Sequence, residues 1–113
     1  MAITPGAPGP STPLSAPVLT IESGDDQNVI TWPNVSGATT YNLYWDTSPG
    51  VTKADDTKIS GVSSPYVHSG LSNDTTYYYI GTTEDEVTES DSSSEASGTP
   101  GTVSELLMSQ ILV

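Results

Sequence analysis

From Val18 onward the chain is divided into short runs of β-forming residues by clusters of Gly, Pro, Asn, Asp and Ser. The runs fall at 18–21, 28–32, 39–45, 58–60, 66–68, 75–80 and 93–97. Breaks at intervals of about 8 to 12 residues are the pattern of a sandwich or barrel, so the expected fold class is all-β. Ser and Thr supply much of the polar surface, and Tyr and Trp are the aromatics of a chain with no Phe, a composition that suits strands. At 113 residues there is room for one domain, and no internal repeat points to a solenoid or propeller.

Within each run, alternate residues face the same side. That rule places Leu19, Ile21, Ile30, Trp32, Tyr41, Leu43, Leu71, Tyr77 and Tyr79 in one core. The expected architecture is a seven-stranded antiparallel sandwich. Packing alone must hold it, because the chain has no Cys for disulfides, thiolate metal sites or a thiol nucleophile.

The two ends differ from this middle. Residues 1–17 hold five of the nine prolines, Pro5, Pro8, Pro10, Pro13 and Pro17. Proline fixes φ and removes a donor, so the segment is expected to be extended, either as a linker or as an arm laid across a neighbouring subunit. Ile3 and Leu14 are its sizeable apolar anchors. At the other end Thr102-Val103-Ser104-Glu105 fits a capping box, and Val103, Leu106, Leu107 and Ile111 recur at helical spacing, with Leu112 and Val113 widening the apolar face. So short a helix is marginal alone in water and needs a surface, its own sandwich or a neighbour's. The alternative is a strand over 110–113 that adds to a neighbour's sheet edge. The expected division is an arm over 1–16, a sandwich over 17–100 and an apolar tail over 101–113. The start lacks the cationic and apolar stretches of a secretory signal, so export by the usual route is not expected. The longest apolar cluster, Leu106-Leu107-Met108, is far short of the roughly 20 residues needed to span a bilayer.

Several motifs follow in a familiar order. A proline-led first strand (Pro17-Val18-Leu19) precedes a strand ending in a core Trp (Val29-Ile30-Thr31-Trp32) and the stretch Gly37-Ala38-Thr39-Thr40-Tyr41-Asn42-Leu43-Tyr44. Gly70-Leu71-Ser72-Asn73-Asp74-Thr75-Thr76-Tyr77 then looks like a tyrosine corner, and 89–100 resembles a last strand with its exit. Residues 17–100 thus resemble a fibronectin type III domain of the bacterial and phage type. The resemblance implies an immunoglobulin-like sandwich and carries little information about function. Gly81 and Thr83 depart from it, standing where Val or Ala is usual, and are expected to weaken the sixth strand's second half or to mark a bulge. No Arg-Gly-Asp triplet is present, so integrin binding is not implied.

Charge excludes further classes. Fourteen Asp and Glu stand against Lys53 and Lys58 alone, a formal net charge of -12. Phosphate backbones and anionic membrane surfaces are repelled by such a chain, so neither nucleic acid nor membrane is an expected partner. The charge is uneven, since residues 1–21 have no charged side chain and Glu105 is the one charged side chain after Pro100.

Candidate chemistry is sparse. His68, the one histidine, has no nucleophile motif near it and is expected as a surface strand residue. No Gly-x-Ser-x-Gly elbow occurs, so enzymatic activity is not expected. Six acids fall in 84–95, where Glu84, Asp85, Glu86, Asp91 and Glu95 are weak calcium candidates without the spacing of a dedicated loop. The alternative is a solvated, self-repelling loop, and no cofactor is expected. Trp45, Tyr44, Tyr66 and Tyr78 form either an exposed strip for weak glycan binding or cross-strand pairs without a ligand. Asn34-Val35-Ser36 and Asn73-Asp74-Thr75 match the glycosylation pattern but are expected to be idle turn residues.

These features predict a non-enzymatic structural or interaction protein, bound to subunits of one assembly, or to itself, through its ends. A virion surface component of a bacteriophage, such as a capsid decoration or tail-associated protein, has this character. The alternative is a carbohydrate-binding or spacer module of a larger extracellular bacterial protein.

Overall fold

The computed structural model describes residues 14–102. Seven strands follow in chain order: β1 (Thr20–Gly24), β2 (Gln27–Thr31), β3 (Thr40–Asp46), β4 (Thr57–Val62), β5 (Tyr66–His68), β6 (Tyr77–Glu84) and β7 (Ala96–Gly98). They form a three-stranded sheet in the order β1-β2-β5 and a four-stranded sheet in the order β4-β3-β6-β7, with every pairing antiparallel. The expected all-β, seven-stranded sandwich is the observed architecture.

Period-two alternation explains the layer between the sheets. Ile30, Trp32, Leu43, Val62, Leu71, Tyr77 and Tyr79 are buried there, with Leu19, Ile21, Tyr41, Trp45, Ile59 and Tyr66 packed around them. Tyr77 also ties down the loop before its own strand, accepting the Ser72 N–H at Oη over 2.9 Å. That is the tyrosine-corner geometry. The β1–β2 turn is pinned by the same loop: the Leu71 N–H donates to the Asp26 carbonyl at 2.9 Å. Asn73 Oδ1 accepts the Asp26 N–H at 2.9 Å, and its Nδ2 donates to Asp25 at 2.9 Å. Asn73 is therefore not an idle turn residue.

Several strand limits differ from expectation. The first strand begins at Thr20, and Val18 is 71% exposed. The last strand is confined to Ala96–Gly98. β6 runs through Gly81 and Thr83 to Glu84 in unbroken register with β3, so neither residue weakens it or marks a bulge. The segment before β1 packs beside both residues. A Cβ on Gly81 would stand 2.9 Å from Pro17 and 3.1 Å from Leu19, and the Thr83 hydroxyl donates to the Ser15 carbonyl at 2.6 Å. The register shift lies instead between Tyr41 and Asn42, opposite β4.

Beyond Tyr79 the outer edge of β6 leaves β7 and meets an irregular segment. The Gly81 and Thr83 N–H groups donate to the hydroxyls of Ser93 (2.8 Å) and Ser90 (3.0 Å). The Ser93 and Ser90 N–H groups return bonds to the carbonyls of Gly81 and Thr83. Two serine side chains thus take the place of main-chain acceptors along this edge.

The described chain enters and leaves at opposite poles. Leu14 lies beside Gly37 in the β2–β3 loop and borders 88–91, next to the end of β6. At the other pole the Gly101 N–H donates to the Gly24 carbonyl at 3.1 Å, and the Pro100 carbonyl accepts the Asp74 N–H at 2.8 Å. The eight residues of β6 connect these poles, a distance of about 25 Å at roughly 3.3 Å per residue.

Candidate functional site

Asn28 and Asn42 lie inside strands, where Asn is depleted unless a partner holds it. Both are fully buried and both organise polar clusters. Asn28 Nδ2 donates to Tyr79 Oη at 3.0 Å and to the Gly98 carbonyl at 3.2 Å, while its Oδ1 accepts the Ser23 hydroxyl at 2.6 Å. Tyr79 Oη also meets His68 Nδ1 at 2.8 Å.

His68 is therefore not a surface residue. It is buried, with the Trp45 ring centroid 4.8 Å away and Tyr79 and Tyr77 at 5.6 and 6.2 Å. Burial lowers its pKa, which favours the neutral ring, and burial also pushes Tyr79 up to about 12. Trp45 and Tyr66, expected on a surface strip, pack against the core instead.

The outer face of the four-stranded sheet holds the second cluster. Tyr44 is only 3% exposed and packs with Val51 and Ile80, with Tyr78 against them. It is not part of an exposed glycan strip. Its position alternates outward as expected, but the 89–95 segment and the Val51 loop are joined over this face. Glu95 Oε1 accepts the N–H groups of Gly50 and Val51 at 2.8 and 2.9 Å.

Glu89 fastens this cover. One oxygen, Oε2, accepts the Thr82 hydroxyl at 2.6 Å and the Tyr44 hydroxyl at 2.7 Å, with Asn42 Nδ2 at 3.5 Å. Both lysines stand nearby: Lys53 Nζ donates to the Ser90 carbonyl at 3.0 Å, and Lys58 Nζ lies 5.7 Å from the Tyr44 ring centroid. Burial opposes the charge on Glu89, but the Thr82 and Tyr44 hydroxyls and the two lysines outweigh it and hold the carboxyl below its ordinary value. The Tyr44 hydroxyl is pushed up by burial and by its bond to Glu89.

The five calcium candidates do not converge. Glu84 accepts from Asn42 Nδ2 at 3.0 Å, while Asp85 Oδ1 accepts the N–H groups of Val87 and Thr88, both at 2.8 Å. Those bonds lower the Asp85 pKa. Glu95 is committed to Gly50 and Val51, away from both, and Glu86 and Asp91 are exposed. Among the described residues no three Asp, Glu or His side chains are grouped to hold a metal ion.

Of the residues expected to make interactions, Ile3, Val103, Leu106, Leu107, Ile111, Leu112 and Val113 lie outside the described residues. Leu14 is half-buried at the entry pole. A groove of about 240 Å³ opens at the same pole, lined by Trp32, Asn34, Thr39 to Tyr41 and Gly61 to Ser64. The Trp32 and Tyr41 rings stand 5.5 Å apart.

A fibronectin III-like protein from Clostridium thermocellum aligns with a TM-score of 0.65 and 22% identity, covering 81% of this chain and 98% of that one. The fibronectin III domain of the human collagen alpha-1(XX) chain gives 0.64 and 21%, covering 86% and 94%. A β-1,2-glucanase from Parabacteroides distasonis gives 0.66 and 20% over 90% of this chain, which spans only 16% of that enzyme. No family model and no curated protein matches the sequence. The fold is that of a fibronectin type III-like sandwich.

Proposed function

We propose that this chain is a non-enzymatic structural and interaction module that joins neighbouring subunits through its two ends while the acidic sandwich projects between them. The observation that carries this reading is the polarity of the described chain: Leu14 enters beside Gly37 at one pole and Gly101 leaves beside Gly24 at the other. Segments at opposite poles of a rigid body can engage two different neighbours. In sequence the uncharged arm precedes Leu14 and the apolar tail follows Gly101, and most of the charge of -12 falls between them, limiting nonspecific association. A virion surface, as a capsid decoration or tail-associated protein, is the setting we assign.

Size-exclusion chromatography with light scattering on the full chain and on a chain truncated after Gly101 tests the reading. The expected result is a full-length oligomer that becomes monomeric on truncation. A monomer in both cases removes assembly between copies. Antibodies against the sandwich should label particle surfaces, and unlabelled particles would remove the virion setting.

A second reading is a spacer or carbohydrate-binding module of a larger extracellular protein. The glucanase favours it, because there a similar sandwich is a small part of a much longer chain. The burial of Tyr44 supports the spacer form over sugar binding by that face. A monomeric chain that retains a polysaccharide in a pull-down would favour the carbohydrate form.

A further inference from the structure

The groove at the entry pole has an unusual balance of groups. Its lining carries hydroxyls, one carboxamide and two aromatic rings, and no Asp, Glu, Lys or His. Part of that polarity is already used: the Ser64 hydroxyl accepts the Trp32 N–H at 3.0 Å, and Tyr41 Oη accepts the Val35 N–H at 2.8 Å. No hydrogen bond among the described residues engages the Asn34 carboxamide or the hydroxyls of Thr40 and Ser63. Trp32, which is 6% exposed, adds a second observation. Its Nε1 is the one buried side-chain nitrogen or oxygen without a hydrogen-bond partner among the described residues. A buried donor left unpaired calls for an acceptor.

We propose that this groove seats the proline-rich arm of its own chain, residues 1–13. Proline-rich segments favour the polyproline II conformation, which has no internal hydrogen bonds and leaves its carbonyls as acceptors. Grooves that receive such segments combine aromatic rings with side-chain donors. Trp32, Tyr41, Asn34, Thr40 and Ser63 supply that combination. The charges are compatible, since the arm has no charged side chain and the groove lining has none either.

The starting point of the arm is also right. Leu14 stands beside Gly37, in the same loop that brings Asn34 and Thr39 to the groove. Thirteen residues at about 3.1 Å each reach roughly 40 Å, more than the width of a few strands. A tether this short gives the chain's own arm a high effective concentration over a neighbour's. The proposal rests on the reading of the ends as docking segments and adds where the arm rests before a neighbour draws it away.

The absence of Cys makes the test direct. Ala7→Cys in the full chain takes a single nitroxide label, and its relaxation effect is read on backbone amide and indole N–H signals. The expected result is loss of most intensity at Thr40, Gly61, Ser63 and the Trp32 indole, with Gly24 and Asp74 at the far pole unaffected. The loss should vanish in the groove-filling Ser63→Trp chain, and in a chain carrying Pro8→Gly and Pro10→Gly, where the sandwich is untouched. Unaffected groove signals overturn the proposal, as does a loss that persists in both variant chains. A loss that appears only when labelled and isotope-enriched chains are mixed also overturns it, by assigning the groove to a neighbour's arm. The tail truncation reads whether copies assemble and the label reads where the arm rests, so the two readings fail by different results.

Discussion

His68 Nδ1 and Tyr79 Oη stand 2.8 Å apart between the two sheets, joining the edge strand of one to a central strand of the other. Tyr79 also accepts from Asn28, so the simplest arrangement has the tyrosine hydroxyl donating to a neutral imidazole. Protonating His68 would remove that acceptor and place a charge among Trp45, Tyr77 and Tyr79.

Stability should therefore fall at mildly acid pH. The folded pKa of His68 is lowered relative to the unfolded chain, so the unfolded state binds more protons in the window between the two values. Stability is full above the unfolded value, about 6.5, and is lost as pH drops from there to the folded value. Thermal melts from pH 7.5 to 5 should show this decline in the natural chain and a flatter profile in His68→Gln.

A second, more acid transition belongs to Glu89. Its folded pKa is also lowered, which for a carboxylate means stability present above the unfolded value, near 4.5, and lost as pH falls through the folded one. Glu89→Gln keeps one acceptor oxygen but loses the charge-assisted bonds from Thr82 and Tyr44. A cost of about 1 to 2 kcal/mol at pH 7 is expected, with a shallower acid limb below pH 4.5. Urea titrations at pH 7 and at pH 3.5 measure both.

Gly81→Val should be costly. Its Cβ alone would come within 2.9 Å of Pro17, and two more methyl groups must displace the segment that closes the core. A loss of about 1 to 3 kcal/mol is expected, read as a lower urea midpoint. An unchanged midpoint would show that the 15–19 segment yields freely.

Tyr77→Phe tests the corner. The ring stays and the acceptor for the Ser72 N–H goes, at an expected cost of about 1 to 2 kcal/mol. Amide exchange at Ser72 should quicken by at least tenfold, while exchange at Leu43 in the sheet centre follows only the global change in stability.

The fold could be read from the sequence because its determinants are local. Alternating Ile30 and Trp32, Tyr41 and Leu43, and Tyr77 and Tyr79 choose their face without knowledge of any distant residue. The cover over the outer face could not be read that way. Tyr44 lies on an outward position, and its burial depends on Glu89, Val51 and Glu95, which come from segments with no periodicity. His68 misleads for a similar reason: alternation gives it a face, but only the sheet-to-sheet distance shows that Tyr79 meets it. Gly81 and Thr83 look like weaknesses until Pro17 and Ser15, more than sixty positions earlier, fill the space beside them. The sequence did carry one unused signal, the mid-strand Asn28 and Asn42, whose polarity called for buried partners.

The serine hydroxyls along β6 have a consequence for crowding. An open strand edge is a template on which another chain can grow, and a protein packed at high density meets that hazard constantly. Ser93 and Ser90 occupy the Gly81 and Thr83 donors, respectively, from within the same molecule. Copies held side by side would find no vacant ladder along this half of β6.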